Sequence, residues 1–133
     1  MSGYTNIVSE FEKAFNTPEW LANDLKVFAA NFNPIEDMPA EYLVMEILPS
    51  QPLMNQYGGE SQVGGLLIMQ VYIPVNEGSR RVFEISDLLD DVMLKQSFNF
   101  NIQTESSTLD IKGTDGDNPG LFRADYSVRF SSY

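Results

Sequence analysis

The hydrophobic positions of this chain follow two rhythms. In V-G-G-L-L-I-M-Q-V-Y-I-P (63–74) they occupy both sides of an extended chain: Leu67, Met69, Val71 and Ile73 on one side, Leu66, Ile68 and Tyr72 on the other. A strand with two apolar faces belongs at the centre of a sheet. Pro74 has no N–H to donate and ends the ladder, and Gly78 and Ser79 supply a turn and a helix N-cap. The next sixteen residues change to the helical period. Val82, Ile85, Leu88, Leu89 and Val92 share one face of a helix over 80–95, and Arg80, Glu84, Asp87, Asp91 and Lys95 take the opposite one. Strand, turn and helix form one unit that the rest of the chain must cover.

Residues 4–16 have the helical rhythm again, with Tyr4, Ile7, Val8, Phe11, Ala14 and Phe15 on one face and Ser9, Glu10, Glu12, Lys13 and Asn16 on the other. Thr17-Pro18-Glu19 is an N-cap signature for a short helical turn that tucks Trp20 beneath that helix. Strands are predicted at 25–30 and 41–48, the second with Leu43, Met45 and Ile47 on its cleaner apolar face and Pro49 at its end. Residues 98–103 alternate as a half-buried strand with Phe98, Phe100 and Ile102 inward, and 107–112 form another short strand. The clearest alternation is the last, 121–131, with Phe122, Ala124, Tyr126, Val128 and Phe130 inward. The pattern predicts a single α+β domain over residues 1–133: a mostly antiparallel or mixed β-sheet with two helices packed on one face.

Composition removes several chemistries. The chain has no cysteine and no histidine, so thiolate nucleophiles, Cys/His zinc sites and the usual neutral-pH general base are all missing. Carboxylate pairs such as Glu36 with Asp37 and Asp90 with Asp91 are sequential neighbours, which do not converge on one substrate. Asp115, Asp117 and Asn118 begin like a calcium loop, but the closing glutamate is missing. No phosphate-cradling or dinucleotide-binding glycine motif is present. These observations predict no enzyme, no metal and no cofactor. The net charge of −11, with only eight basic residues, argues against a module that grips a nucleic-acid backbone. The N-terminus has no leader-like basic and apolar run, and no stretch reaches the ~18 apolar residues of a membrane span, so a soluble protein outside secretory routes is expected.

Some residues do not fit a plain solvated surface. Phe83 and Leu94 lie away from the core arc of their helix, and Arg80 and Arg81 stand at its N-terminus, where positive charge is disfavoured by about 0.3–1 kcal/mol. These four are candidates for a subunit interface. Changing both arginines to glutamate is expected to leave the fold intact and weaken assembly. The stretch between Pro49 and Gly64 is too long for a tight hairpin, and its Leu53, Met54 and Tyr57 are candidates for contact with a neighbour or a larger assembly.

V-F-A-A-N-F-N-P (27–34), E-Y-L-V-M-E-I-L-P (41–49), G-G-L-L-I-M-Q-V-Y-I-P-V-N-E-G (64–78) leading into a helix, and an aromatic-rich final strand together resemble the tail-terminator-like proteins of long-tailed bacteriophages. The resemblance covers most of the chain, and its motifs are structural. It implies a virion protein of the tail and neck, assembled in the host cytoplasm as a homohexameric ring on the head-proximal end of the tail tube. Such a ring ends polymerisation of the tail tube protein and offers a docking face to the head-completion or connector protein, with DNA passing through the hole. Six copies at −11 give −66, a field that would repel phosphate and let DNA slide. Two other readings stay open: a head-completion or neck protein of the same machine, and a free-standing acidic protein-binding module.

Overall fold

The stretch with two apolar faces lies in the middle of a sheet. The computed structural model describes residues 4–29, 40–49, 53–54, 61–75, 79–94, 98, 102–114 and 120–132. In chain order they form α1 (Tyr4–Ala14), α2 (Pro18–Leu21), β1 (Lys26–Ala29), β2 (Tyr42–Pro49), β3 (Leu53–Met54), β4 (Ser61–Pro74), α3 (Ser79–Met93), β5 (Ile102–Thr114) and β6 (Leu121–Ser132). The main path of the sheet is β1-β2-β4-β6-β5, and β3 pairs with the start of β4. β1 runs parallel to β2 and every other pairing is antiparallel, so the sheet is mixed and the fold α+β. β4 and β5 both run antiparallel to β6. The β4–α3–β5 connection is therefore a crossover with β6 inserted between its two strands.

One sheet face is the core. Leu43 and Met45 of β2, Leu67, Met69, Val71 and Ile73 of β4, and Ala124, Tyr126, Val128 and Phe130 of β6 are all buried there. α1 packs on it through Ile7 and Phe11, whose ring meets that of Phe130 edge-on at 5.3 Å. α3 packs on it through Val82, Ile85, Leu89, Val92 and Met93. The Thr17 side chain accepts a hydrogen bond from the Trp20 N–H and caps α2, as the Thr-Pro-Glu signature predicts. Trp20 is buried, its ring against Phe15 and its Nε1 donating to the Leu25 carbonyl at 3.1 Å.

Three local expectations are corrected. The two short strands expected at 98–103 and 107–112 are joined in one strand, β5, over Ile102–Thr114. Its register slips between Thr104 and Ser107 and again between Ile111 and Gly113, and each slip breaks the two-residue rhythm. Phe98 reaches the core from outside the strand, its ring 5.3 Å from that of Phe11, and Phe100 lies outside the described residues. Glu10, expected on the solvent face of α1, is buried and receives Lys13 Nζ at 3.3 Å. The long connection between Pro49 and Gly64 extends a hairpin: Leu53 pairs with Gln62 and Met54 with Ser61, beyond the end of β6 at Ser132. The turn expected at 31–34 and the acidic stretch 115–119 lie outside the described residues.

Candidate functional site

α3 is amphipathic because its apolar side chains recur at three- and four-residue spacing, which leaves an opposite stripe in solvent. Phe83, at 50% exposure, and Leu94, just past the helix end at 38%, are on the outside as their angular positions predict. The two candidate arginines are not equivalent. Arg80 is almost fully exposed, and its carboxylate neighbour among the described residues is Glu84, at 3.7 Å. Arg81 reaches back to Glu41 at the entry of β2, donating from Nε at 2.8 Å and from a terminal nitrogen at 3.0 Å, and has Glu84 at 3.6 Å. The bidentate fork ties the N-terminus of α3 to the sheet, so replacing Arg81 also perturbs the fold.

Leu53 and Met54 are placed by their backbone in β3, on the overhanging part of the β2–β4 hairpin. Tyr57 lies outside the described residues. The structure therefore keeps Phe83, Leu94 and Arg80 together on one helix face and puts Leu53 and Met54 on a separate element.

The sequence pattern puts Leu66, Ile68 and Tyr72 on the other side of the central strand, but no candidate site was drawn from that side. On that outer face the strands align Tyr42, Tyr72 and Arg123 in one row, Phe28, Val44, Gln70, Asp125 and Asp110 in the next, and Leu48, Leu66 and Arg129 further along. Tyr42 and Tyr72 are cross-strand partners with stacked rings 4.9 Å apart, and the Arg123 guanidinium lies 5.9 Å from the Tyr72 ring centre. Arg123 also donates to both oxygens of Asp125, at 3.0 and 3.3 Å. Tyr72 Oη donates to Gln70 Oε1 at 3.1 Å, and Gln70 Nε2 donates to Glu46 at 3.5 Å. Lys112 holds Asp110 at 2.7 Å, and this hydrogen bond and charge raise its ammonium pKa. Around Tyr72 and Asp125 the face is thus a lattice of aromatic and mutually paired polar and charged groups. At its far end Leu48 is 43% exposed. The signal for it was present in the alternation of E-Y-L-V-M-E-I-L, which puts Leu48 opposite the Leu43–Met45–Ile47 side.

Beneath α3, Asp90 accepts hydrogen bonds from Tyr126 Oη at 2.6 Å and Ser107 Oγ at 2.7 Å, while Asp91 is exposed. The neighbouring carboxylates diverge, as adjacent helical positions must. Burial, then the Asp90 carboxylate, pushes the Tyr126 phenol far above the ordinary tyrosine range. A cleft of about 430 Å³ opens between the end of α1, α2 and β1, lined by Phe15, Leu21, Leu25, Val27, Phe28 and Met45 with Glu12, Asp24 and Lys26 among its polar residues. Among the described residues, no cluster of three His, Cys, Asp or Glu could hold a metal ion. Among them, too, no helix is long and apolar enough to cross a membrane.

No protein-family model matches the chain, and no curated protein does. One solved structure, whose name carries no functional description, aligns over 100% of this chain and 97% of its own, with a TM-score of 0.65 and 17% sequence identity. At that identity the likeness shows the fold alone. The fold and the surfaces define an α+β domain with a helix-covered core face and an outer sheet face of its own chemistry.

Proposed function

We propose that this protein is a structural subunit of a bacteriophage particle, a tail terminator that assembles as a hexameric ring at the head-proximal end of the tail tube. The observation that carries the reading is the distribution of exposed apolar side chains over both layers of one small domain: Phe83 and Leu94 on the helix side, Leu48 on the sheet side. Scattered single apolar residues are ordinary on a surface, but large aromatic and aliphatic groups on opposite sides suit a subunit that is covered on both sides by neighbours. The overhanging β2–β4 hairpin, with Leu53 and Met54, gives such a ring an arm for the tube or an adjacent copy. The resemblance of the 27–49 and 64–78 segments to tail-terminator-like proteins points the same way.

In this reading the ring stops addition of tube subunits and presents its other face to the head connector, and the acidic charge of −11 per copy keeps DNA sliding through the lumen. The test has two stages. Light scattering behind a sizing column should give a six-subunit mass, and electron microscopy of tail tubes mixed with the protein should show density on one tube end only. A discrete dimer that ignores tubes would replace this reading with that of an acidic binding module. A ring that binds connector and leaves tubes bare would make it a neck protein.

A further inference from the structure

The ring reading leaves open which surfaces meet, and charge and apolar exposure together pick out a pair. Among the described residues, Lys13, Arg80, Arg81, Lys112 and Arg123 each have a carboxylate within 4.0 Å. Lys26 and Arg129 have none among those residues, although acids outnumber bases 19 to 8. Strand register puts both of these cations on the outer face of the sheet, Lys26 opposite Tyr42 and Arg129 opposite Leu66. Arg129 is exposed and ends the row Leu48–Leu66–Arg129, in which Leu48 is exposed and Leu66 half-buried. On the other side of the domain, the outer stripe of α3 has the complementary set. Phe83 is half exposed, and Asp87, one turn further on, is exposed with no cation paired to it among the described residues.

We propose that a second copy of this chain lays the outer stripe of α3 on the Leu48–Leu66–Arg129 patch, with Phe83 on the two leucines and Asp87 against Arg129. The spacings agree: one helical turn advances about 5.4 Å, and one strand-to-strand step from Leu66 to Arg129 is about 4.8 Å. The donor stripe and the acceptor patch lie on opposite sides of the domain, because α3 covers the core face and the patch is on the face behind it. Each copy therefore both gives and receives, and the contact is head-to-tail. Such contacts propagate until the rotation closes a ring, whereas a self-complementary patch would stop at a dimer. The proposal rests on the ring reading above and names its subunit contact.

The absence of cysteine makes a clean cross-linking test. Phe83→Cys and Leu48→Cys, purified separately, mixed and treated with a short bismaleimide, should give a covalent dimer that neither variant gives alone. The double variant on one chain should give a ladder ending at six. Self-linking of Phe83→Cys as efficient as the mixture would overturn the contact in favour of a two-fold interface. No mixed product from a preparation that light scattering shows to be oligomeric would overturn the contact and leave the ring standing. A wild-type monomer at every concentration would overturn both. In a parallel charge test, Asp87→Arg and Arg129→Asp should each weaken assembly about tenfold, as a close interfacial ion pair does, and their combination should recover most of the loss. A double variant no better than the singles would remove the Asp87–Arg129 pair. Both positions are exposed, and a circular dichroism spectrum matching that of the wild type would confirm that folding is unaffected.

Discussion

Gly65 has no room for a side chain. A Cβ added there would stand 2.4 Å from the Leu48 carbonyl oxygen and 3.1 Å from the Phe130 ring, and the first contact is backbone that cannot step aside. Gly65→Ala should therefore destabilise the protein by about 1–3 kcal/mol, the usual cost of overpacking, read as a lower urea midpoint. Tyr126 is a second residue whose role comes from contacts distant in sequence. Its hydroxyl donates to a carboxylate, so Tyr126→Phe should cost about 1.5–3 kcal/mol at neutral pH. The pH dependence has a definite sign. The folded state holds the phenol neutral above its ordinary pKa of 10.0, while the unfolded phenol ionises there, so this contribution is complete below pH 10 and declines above it. The stability gap between wild type and Tyr126→Phe should narrow when denaturation is followed from pH 9 to pH 11. A gap that stays constant would show that the phenol is not held neutral. Single residues were legible where burial follows period, as at Leu43, Val82 and Val128, and illegible where it follows a neighbour, as at Glu10.

At the scale of elements, periodicity located α1, α3 and the long central strand to within a few residues, and the Thr-Pro-Glu cap signature located α2. It misplaced β5 because two register slips interrupt the alternation, and a bulge is produced by pairing with β6, not by β5 alone. β3 was missed for a related reason: two residues have no rhythm, and only the partner Ser61–Gln62 makes them a strand. The attachment of α3 gives a prediction that separates two adjacent arginines. Arg81 bridges 40 residues to Glu41 in a bidentate fork, so Arg81→Glu sets two carboxylates together and should cost about 1–2 kcal/mol. Among the described residues Arg80→Glu touches one exposed pair, and it should change stability by less than about 0.5 kcal/mol. Thermal melts of the two single variants check this, and equal losses would show that the Glu41 fork does not anchor the helix. The expectation that both changes together spare the fold is accordingly narrowed to Arg80.

For the whole molecule, net charge opposes assembly at long range while the proposed contact favours it at short range. Copies carrying −11 each repel one another over a screening length of about 30 Å at 0.01 M salt and about 10 Å at 0.1 M. The oligomer fraction should therefore rise with salt across that interval, measured by sedimentation velocity; a fall would mean that attractive ion pairs outweigh the net repulsion. The sequence by itself determined the α+β class, the central place of 63–74, a helix over 80–95 that the structure bounds at Ser79–Met93, and the exposure of Phe83 and Leu94. Each of these follows from local periodicity and from which side chains water excludes. Tertiary structure alone decided that Arg81 belongs to the fold, that Asp90 serves Tyr126, and that Leu48, Leu66 and Arg129 form one patch. Those assignments depend on which strands lie side by side, and strand order is set by long-range pairing that no stretch of the chain contains on its own.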